Sequence, residues 1–306
     1  MSEAITLSIP YYRGNAYLRR AIESVLEQDD GEWLLAIRDD GERDEARAVV
    51  DGLGLTDDPR VSCVRNASNL GMVANWNLCL DAVETPLATL LHADDALGPS
   101  YVRTMRALAG ANPDDTAFFC EARIIDESGN QRFSLADWIK RFYLPARAAS
   151  GDSFSLSGES ALEALMAGNF IMCPTLCFRL DKLAGRRFDA SHHQVQDLEF
   201  TSRLLMDGDT LVGTRWTHYA YRRHAAGATA LQSESLLRFQ EELALFDRVA
   251  ERAAAIGWSR AARVARRKTI VRLHLGYRAA GNLTRLRVRR ALRELGLAAG
   301  RQRPRA

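Results

Sequence analysis

Cysteine and long apolar runs are both scarce in this chain. The 306 residues contain five cysteines, none in the C-x-x-C spacing of a zinc site and most beside apolar neighbours, which predicts free thiols in a core. No stretch approaches the ~18 consecutive apolar residues of a membrane-spanning helix. The first residues, MSEAITLSIPYY, lack the basic and then apolar pattern of a signal peptide. We therefore expect an ordinary soluble globular protein of the cytoplasm.

Two phosphate-binding motifs are missing as well. The first strand-like run, Ile5–Ile9, leads into PYYRGN, which matches neither GxGxxG nor GxxxxGK. Those motifs hold phosphates through a glycine-rich turn in dinucleotide-binding and P-loop proteins. Their absence indicates that carboxylates after later strands contribute more of the ligand binding.

Acidic residues are scarce near the C-terminus, so the net charge of +2 hides an asymmetry. Residues 260–306 hold 15 lysines and arginines and one acid, a net charge of +14. Residues 1–259 hold 26 lysines and arginines and 38 acids, a net charge of −12. A basic tail on an acidic body indicates a polyanionic partner, such as an anionic membrane surface, or an oligomer interface. A helix that is basic only for solubility is the alternative.

Apolar periodicity alternates between strand and helix up to Cys120. Strands are predicted at Ile5–Ile9, Trp33–Ile37, Val61–Val64, Leu87–Leu91 and Ala117–Cys120, and helices near Asn15, Glu42–Leu53, Met72–Val83 and Ser100–Ala109. Such alternation is typical of an α/β protein with a doubly wound, mostly parallel sheet and right-handed crossovers. Later predictions are a strand, turn and helix in Arg123–Phe142, a loop at Leu144–Ser157, a strand at an edge or bend around Pro174, a helix at Leu198–Met206, a strand at Leu211–Tyr221, and from Ser235 onward helices divided by Gly257, Gly276, Gly281 and Gly296.

The segment Leu87–Pro99, LATLLHADDALGP, is the strongest candidate for chemistry. A short apolar run ends at His92, and the adjacent acids Asp94 and Asp95 follow. Carboxylates just past the carboxyl end of a buried strand lie where open α/β sheets bind ligands. Two adjacent acids repel each other unless a cation lies between them, and a divalent metal with a phosphorylated ligand would serve. Taken alone, such a pair is more often a turn that caps the next helix.

Five motifs in order extend this interpretation. They are SIPYYRGNAYLRRAIESVLEQ, IRDDG, NLGMVANWN, LLHADDALGP and QDLEF, spread over about residues 5–230. Together they resemble the family 2 glycosyltransferases, which are inverting enzymes of the GT-A fold that use nucleotide diphosphate sugars. The resemblance implies a glycosyltransferase domain in residues 1–230, with a nucleotide-sugar half (1–122) and an acceptor half (123–230), and a basic helical extension in residues 231–306.

The resemblance assigns the donor-binding residues to the loops after the first three strands. Asp39 would accept hydrogen bonds from the base or ribose, and Asp40 would brace the turn before Gly41, although both could be turn caps. Tyr11 would stack on the base unless it is a packing aromatic. Asn77 would orient the metal-binding loop unless it is an ordinary solvent-facing residue. The other donor-binding positions are Pro10, Tyr12, Arg13, Asn69 and Gly71.

For the metal, the resemblance implies that Asp94 is a ligand of Mn²⁺ or Mg²⁺, with Asp95 supporting it and Ala93 in the same donor-binding segment. One carboxylate, two phosphate oxygens and waters are a typical set of ligands for such an ion. His92 stands where the family has the first Asp of D-x-D. A neutral imidazole at that position can still donate or accept a hydrogen bond to the ribose.

The catalytic base implied by QDLEF is Asp197, with Glu199 as the alternative. A carboxylate there would take the proton of the acceptor hydroxyl as it attacks the anomeric carbon. The family usually has an acid where this chain has Gln196. In the late segment YRRH, Arg223 would hold the diphosphate and His224 would bind metal or phosphate, unless the segment is only a basic surface.

Two other functions stay open at this point. His92 in place of an acid favours a catalytically silent sugar-nucleotide-binding or scaffold protein of the same fold. A nucleotidyltransferase would need a Gly/Arg/Lys-rich signature after the first strand, and only Arg13-Gly14 is present. The expected partners are a nucleotide sugar and a hydroxyl acceptor (a glycan, a lipid-linked or a small molecule), with no specific nucleic-acid binding.

Overall fold

The computed structural model describes residues 3–133, 153–224 and 236–300. Strands and helices alternate through the first half of the chain. They are β1 (Ile5–Tyr11), α1 (Asn15–Leu26), β2 (Trp33–Asp39), α2 (Glu45–Asp51), β3 (Val61–Arg65), α3 (Met72–Asp81), β4 (Leu87–Leu90), β5 (Ala96–Leu97), α4 (Tyr101–Ala111) and β6 (Ala117–Ile125).

The second half contributes shorter strands and most of the helices. In order these are β7 (Ser153–Leu156), α5 (Gly158–Gly168), a 3-10 turn (Cys173–Thr175), β8 (Cys177–Arg179), α6 (Leu180–Leu183), α7 (Gln196–Met206), β9 (Leu211–Arg222), α8 (Leu237–Ala255), α9 (Ser259–Arg267), α10 (Thr269–Thr284) and α11 (Val288–Ala298).

The nine described strands form one mixed sheet in the order β3-β2-β1-β4-β8-β6-β9-β5, with β7 paired to β9. Strands β1 to β4 run parallel, as do β6 and β9, while β8 lies antiparallel between β4 and β6. The carboxyl ends of the parallel strands therefore meet at one edge of the sheet. The α/β expectation is confirmed, and the sheet is mixed because β8 runs antiparallel to its neighbours and β5 and β7 run antiparallel to β9.

Helices cover both faces of the sheet. On one face, α1, α2 and α4 bury Leu18, Ile22 and Met105 against the side chains of β1 and β2. On the other face, α3, α5 and α7 pack over the central strands. The short strands are thus buried on both sides, which is why they read as continuous apolar runs in the sequence.

The C-terminal helices α8 to α11 belong to the second layer. Phe239, Phe246 and Leu275 are buried in the same apolar cluster as Leu162 of α5 and Phe200 of α7. The basic extension therefore shares a core with the sheet.

Three local predictions are corrected by the structure. Ser153–Leu156, expected to be loop, is strand β7, whose alternating exposure buries Phe154 and Leu156. Pro174 does bend the chain, in a 3-10 turn, but the strand that follows is central rather than at an edge. The helix expected from Glu42 begins at Glu45, because residues 41–43 form the turn after β2.

The helix breaks in the tail also differ from expectation. Gly257 separates α8 from α9 as predicted, with φ +84°. Gly276, Gly281 and Gly296 instead lie inside α10 and α11. The remaining predicted elements at residues 134–142 and 144–152, the segment 225–235 that contains the 230/231 boundary, and residues 301–306 lie outside the described residues.

Two absences from the sequence have structural counterparts. The five cysteines are free thiols, four of them buried and Cys173 partly buried, as predicted. None of the helices described here is both long enough and apolar enough to cross a membrane.

Candidate active site

Most of the predicted site residues come together where the parallel strands end. Tyr11 at the end of β1 pairs in register with Asp39 at the end of β2, and Asp39 pairs with Arg65 of β3. Strand β4 lies on the other side of β1 and leads directly into the loop that carries His92 to Asp95. The position of these loops follows from the parallel pairing.

Asp39 is fully buried and braces the acidic turn. Its Oδ1 accepts a hydrogen bond from the backbone N–H of Gly41 at 2.8 Å, and burial raises the pKa of its carboxyl. A Cβ on Gly41 would lie 2.8 Å from the carbonyl oxygen of Tyr12, so the turn accepts only glycine without rearrangement. The bracing role that the sequence suggested for Asp40 is thus performed by Asp39.

Asp40 holds the loop after β3. Its Oδ1 accepts hydrogen bonds from Asn66 Nδ2 and from the backbone N–H of Leu70, both at 2.8 Å, and its Oδ2 accepts one from the N–H of Gly71 at 2.9 Å. Asn69 Nδ2 donates to the backbone oxygen of Asp40 at 2.9 Å. Asn69 and Gly71 therefore shape this loop, with Asp40 at its centre.

The two tyrosines after Pro10 differ in accessibility. Tyr11 is 1% exposed, its hydroxyl donates to Glu45 Oε2 at 3.2 Å, and burial raises its pKa. Tyr12 is 51% exposed, and the guanidinium of Arg13 lies 5.6 Å from its ring centroid. A ring has to be accessible to stack on a nucleobase, so in this structure Tyr12 meets that condition and Tyr11 is a packing aromatic.

His92, Asp94 and Asp95 form the cluster that fits a metal ion. One ligand atom from each lies within 4.8 Å of the others. The Asp94 side chain is 36% exposed, and its Oδ2 lies 2.9 Å from Nε2 of His224, at the far end of β9. The structure thus brings His224 to the loop after β4. Ala93, between His92 and Asp94 in the chain, is partly buried.

Asp95 is buried behind Asp94 and is fully engaged by the protein. Its Oδ2 accepts a hydrogen bond from the Tyr219 hydroxyl at 2.9 Å, and its Oδ1 accepts one from the backbone N–H of Arg222 at 2.7 Å. Burial, reinforced by the charge of Asp94, raises the pKa of the Asp95 carboxyl well above its usual range. The contacts of Asp95 thus fasten the loop to β9.

Arg222 and Tyr219 are site residues that the sequence reasoning missed. Arg222 Nε donates to the backbone oxygen of Asp94 at 2.8 Å, and its guanidinium lies over the ring of Tyr17. Arg223, which the sequence favoured, donates its backbone N–H to Ile125, with its guanidinium 5.8 Å from the centroid of the Tyr221 ring. Alternation along β9 could not have found Arg222, because it places Tyr219 with Arg223 on one face of the strand and Arg222 on the other.

The ring of His92 lies in an apolar setting beside Trp76, with ring centroids 5.1 Å apart. Its Nε2 is buried and has no hydrogen-bond partner in the part of the chain that the structure describes. Burial lowers the pKa of this imidazole, which favours its neutral form. A buried nitrogen without a partner costs free energy unless a ligand satisfies it.

Asp197 lies in the first turn of α7 and is partly exposed. Burial raises the pKa of the Cys173 thiol, and the charges of Asp197 and then Asp95 raise it further. Asp197 and Asp95 thus both act on the same thiol through their charges. The neighbouring Gln196 is buried, and its Oε1 has no partner among the described residues.

Two further predicted residues are engaged elsewhere. Both Glu199 oxygens pair with Arg203, at 2.8 and 3.2 Å. The Asn77 side chain exchanges two hydrogen bonds with the backbone of Phe188, at 2.9 and 3.0 Å, so it anchors the segment before α7 rather than the loop after β4.

The family model for glycosyl transferase family 2 matches residues 6–162, just over half of the chain. Residues 1–349 of S. aureus TarS in complex with UDP-GlcNAc superpose with a TM-score of 0.62 at 14% identity, covering 81% of this chain and 66% of that one. At that identity the likeness speaks for the fold alone.

Curated relatives match shorter stretches. An uncharacterised protein of Mycobacterium tuberculosis is 31% identical over 33% of this chain and 31% of its own length. The teichoic acid poly(glycerol phosphate) polymerase of Staphylococcus epidermidis is 30% identical over 33% of this chain and 14% of its own. An uncharacterised glycosyltransferase of Rickettsia prowazekii is 21% identical over 70% of this chain and 64% of its own.

This chain therefore spans less than two thirds of each of these curated relatives. The family match nonetheless includes β1 to β6 and the loops that carry Asp39, Asp40, Asp94 and Asp95. The sheet order agrees with the fold of the solved structures that it resembles. The chain belongs to glycosyl transferase family 2 and has the GT-A fold.

Proposed function

We propose that this glycosyltransferase moves a sugar from a nucleotide diphosphate sugar to an acceptor hydroxyl with inversion, using Asp197 as general base and a divalent cation at Asp94. The observation that carries the proposal is the cluster of His92, Asp94 and Asp95 at the carboxyl end of β4. This is where an open α/β sheet binds its ligand. Asp197, in the first turn of α7, is the acid that the QDLEF motif offers as the base.

The residues present fit a Mn²⁺ or Mg²⁺ ion. Asp94 offers a partly exposed carboxylate, and His224 offers Nε2 at 2.9 Å from it. Carboxylate oxygens and waters suit such ions, and an imidazole is acceptable to Mn²⁺. Bound there, the ion would neutralise the charge of the departing nucleoside diphosphate. Tyr219 and Arg222 already donate hydrogen bonds to the two oxygens of Asp95, so we propose that Asp95 positions the loop and that Asp94 binds the ion.

Inversion in one step needs a base on the face of the sugar opposite the leaving group. Asp197 would accept the proton of the acceptor hydroxyl while the hydroxyl oxygen attacks the anomeric carbon and the bond to the diphosphate breaks. Such a base contributes ~10²–10⁴-fold to the rate. Arg203 occupies both oxygens of Glu199, so we adopt Asp197, the first acid of the QDLEF motif, as the base.

For the donor, we propose a uridine diphosphate sugar bound across the loops after β1, β2 and β4. The support is the fold shared with TarS, which has been crystallised with UDP-GlcNAc and with UDP. Tyr12 would stack on the base, and Pro10, Arg13 and the loop held by Asp40 would form the walls of the pocket. His92 would contact the ribose.

We propose that residues 123–230 form the acceptor half of the glycosyltransferase domain and that residues 231–306 form the basic helical extension. The likeness to a poly(glycerol phosphate) polymerase supports an acceptor with hydroxyl groups near phosphates, among the glycan, lipid-linked and small-molecule candidates. The charge of the extension supports an anionic partner at that end of the chain.

A thermal-shift screen of UDP-, GDP-, dTDP- and CMP-sugars, with and without Mn²⁺, tests the donor and the metal together. The correct donor raises the unfolding midpoint according to RT ln(1 + [L]/Kd), and we expect the largest shift for a UDP-sugar with Mn²⁺. The Asp94→Asn variant should lose the Mn²⁺-dependent part of the shift. A shift of equal size without metal, or in Asp94→Asn, would contradict the metal proposal.

The base is tested by Asp197→Asn against Glu199→Gln. We expect Asp197→Asn to lose ~10²–10⁴-fold of transfer or donor hydrolysis while the donor-induced thermal shift persists. Glu199→Gln should keep most of the turnover. Retained turnover in Asp197→Asn excludes it as the base, and a wild-type protein that binds donor without any turnover would favour the silent sugar-nucleotide-binding alternative.

A further inference from the structure

The C-terminal extension contains a cavity lined by arginines. It has a volume of about 580 Å³ and lies between the end of α8, helix α9 and the first turn of α10. Its charged lining consists of Arg263, Arg266, Arg267 and Arg272, with Ser259 beside them. We call it the arginine cavity. None of the residues that we propose for glycosyl transfer lines this cavity.

The four arginines of this cavity have no carboxylate partner in the described part of the chain. Their neighbours do: Arg260 pairs with Glu159 at 3.3 Å, and Lys268 pairs with Asp247 at 2.6 Å. Among the described residues no acid lines the cavity, and Glu294 is buried against Arg278 and Asn282. Four guanidinium groups around one space repel each other, and an anion between them would relieve that repulsion.

An exposed apolar surface lies on α10, which lines the cavity, and on α11, which follows it in the chain. Leu273, the residue after Arg272, is 63% exposed, and Tyr277, one turn further along α10, is 76% exposed. On α11 the exposed side chains of Val288, Leu292 and Leu295 recur at helical spacing and so share one face. We call these five residues the exposed apolar face. Exposed aliphatic and aromatic side chains next to unpaired arginines are the pattern of helices that lie in a membrane interface.

We propose that the extension docks on an anionic phospholipid surface, with a lipid phosphate in the arginine cavity and the exposed apolar face at the level of the first acyl carbons. Arginine suits this role because its planar fork binds two phosphate oxygens at once. The apolar face would gain nothing from a soluble phosphate, whereas a lipid layer covers both features.

A second copy of the chain is the competing occupant. Its acidic body, with a net charge of −12 over residues 1–259, could meet the basic extension. Carboxylates would satisfy the arginines, but they would leave the exposed leucines beside charged groups. The lipid surface matches the charge and the apolar side chains together, so it is the occupant we adopt.

The test is sedimentation of the full chain with vesicles of equal parts phosphatidylcholine and phosphatidylglycerol, compared with phosphatidylcholine alone. The variant Arg263→Gln/Arg266→Gln/Arg267→Gln/Arg272→Gln should bind anionic vesicles about 100-fold more weakly, because each cation at such a surface contributes to the affinity. The matched control carries the same charge change on exposed body arginines without an ion pair in the described residues: Arg19→Gln/Arg43→Gln/Arg65→Gln/Arg132→Gln. The control should bind like the wild type.

The outcomes separate the alternatives. Equal loss in both quadruple variants would show that only net charge matters and would overturn the cavity as a site. Leu273→Ser/Tyr277→Ser should weaken binding in a salt-independent way, and unchanged binding would remove the exposed apolar face from the proposal. Binding of soluble glycerol phosphate without vesicle binding, or a salt-sensitive dimer that the cavity variant dissociates, would overturn the lipid as occupant. None of these readouts depends on Asp94 or Asp197.

Discussion

Asp40 carries more of the site geometry than its place in the sequence suggests. A carboxylate that accepts two backbone N–H groups and one side-chain amide fixes the 66–71 loop beside the donor-binding edge. Gly71 in that loop has φ +84°, so helix α3 can begin only after a residue that tolerates the left-handed region. The start of α3 and the end of β2 are thereby joined through one side chain.

Removing that side chain should therefore cost stability. In Asp40→Ala the N–H groups of Leu70 and Gly71 and the amide of Asn66 lose their acceptor, and we expect a loss of about 2–4 kcal/mol in the free energy of unfolding. Asp44→Ala is the matched control, because Asp44 is exposed and makes no side-chain cap. Urea denaturation of both variants measures the difference; equal midpoints would show that the loop is held by other contacts.

At this scale the sequence identifies which residues matter better than what each does. Adjacent residues at a strand end point to opposite faces of the sheet. The sequence of the pair Asp39-Asp40 therefore does not show which of the two acids faces the loop. The same ambiguity applies to Tyr11-Tyr12 and to Arg222-Arg223. In the Tyr pair the structure favours the exposed Tyr12 over the buried Tyr11, and in the Arg pair it favours the buried Arg222, which contacts the backbone of Asp94, over Arg223.

At the scale of the element, β9 is the strand on which the site depends. It pairs with β5, β6 and β7 and carries Tyr219, Arg222 and His224 to the loop after β4. Gly213 lets it pass beneath two aromatic rings, since a Cβ there would lie 2.4 Å from the ring of Phe154 and 2.5 Å from that of Phe119. The close packing fixes where β7 joins the sheet.

A pair of glycine-to-alanine substitutions tests this packing. Gly213→Ala should lower the free energy of unfolding by about 1–3 kcal/mol, because the rings must move. Gly276→Ala in the middle of α10, where nothing lies within 4 Å of the added Cβ, should raise it by about 0.5–1 kcal/mol. Chemical denaturation compares the two, and a Gly213→Ala variant as stable as wild type would mean that Phe154 moves aside freely.

Helices and strands are predicted correctly where the apolar periodicity is clear. The predictions fail where contacts with distant parts of the chain decide the local structure. The strands up to Cys120 are short buried runs between turn residues, which periodicity detects. Strand β7 is four residues with two buried side chains, too short to stand out from the loop around it. Gly276 and Gly281 stay helical because packing of α10 on the core outweighs the ~1 kcal/mol that each glycine costs.

At the scale of the whole molecule, the extension and the sheet form a continuous apolar cluster. Helix α9 lies against α5, with Glu159 accepting hydrogen bonds from the first N–H groups of α9 at Arg260 and Ala261. The charge asymmetry in the sequence indicated a separate function for the tail, but charge says nothing about which apolar faces meet. The boundary at residue 230/231 thus marks a change in charge composition. We propose that it does not separate two independently folding units.

The last prediction tests whether the two parts unfold together. Phe246 of α8 is fully buried in the shared cluster, so Phe246→Ala should lower the free energy of unfolding by about 3–5 kcal/mol. If the molecule unfolds as one unit, hydrogen exchange of β1 and β2, which Phe246 does not touch, should accelerate with that loss. Leu286→Ala, at a side chain 87% exposed on the same extension, should leave exchange in both strands unchanged. Protection of β1 and β2 that survives Phe246→Ala while α8 exchanges rapidly would mean that the extension folds on its own and only rests against the sheet.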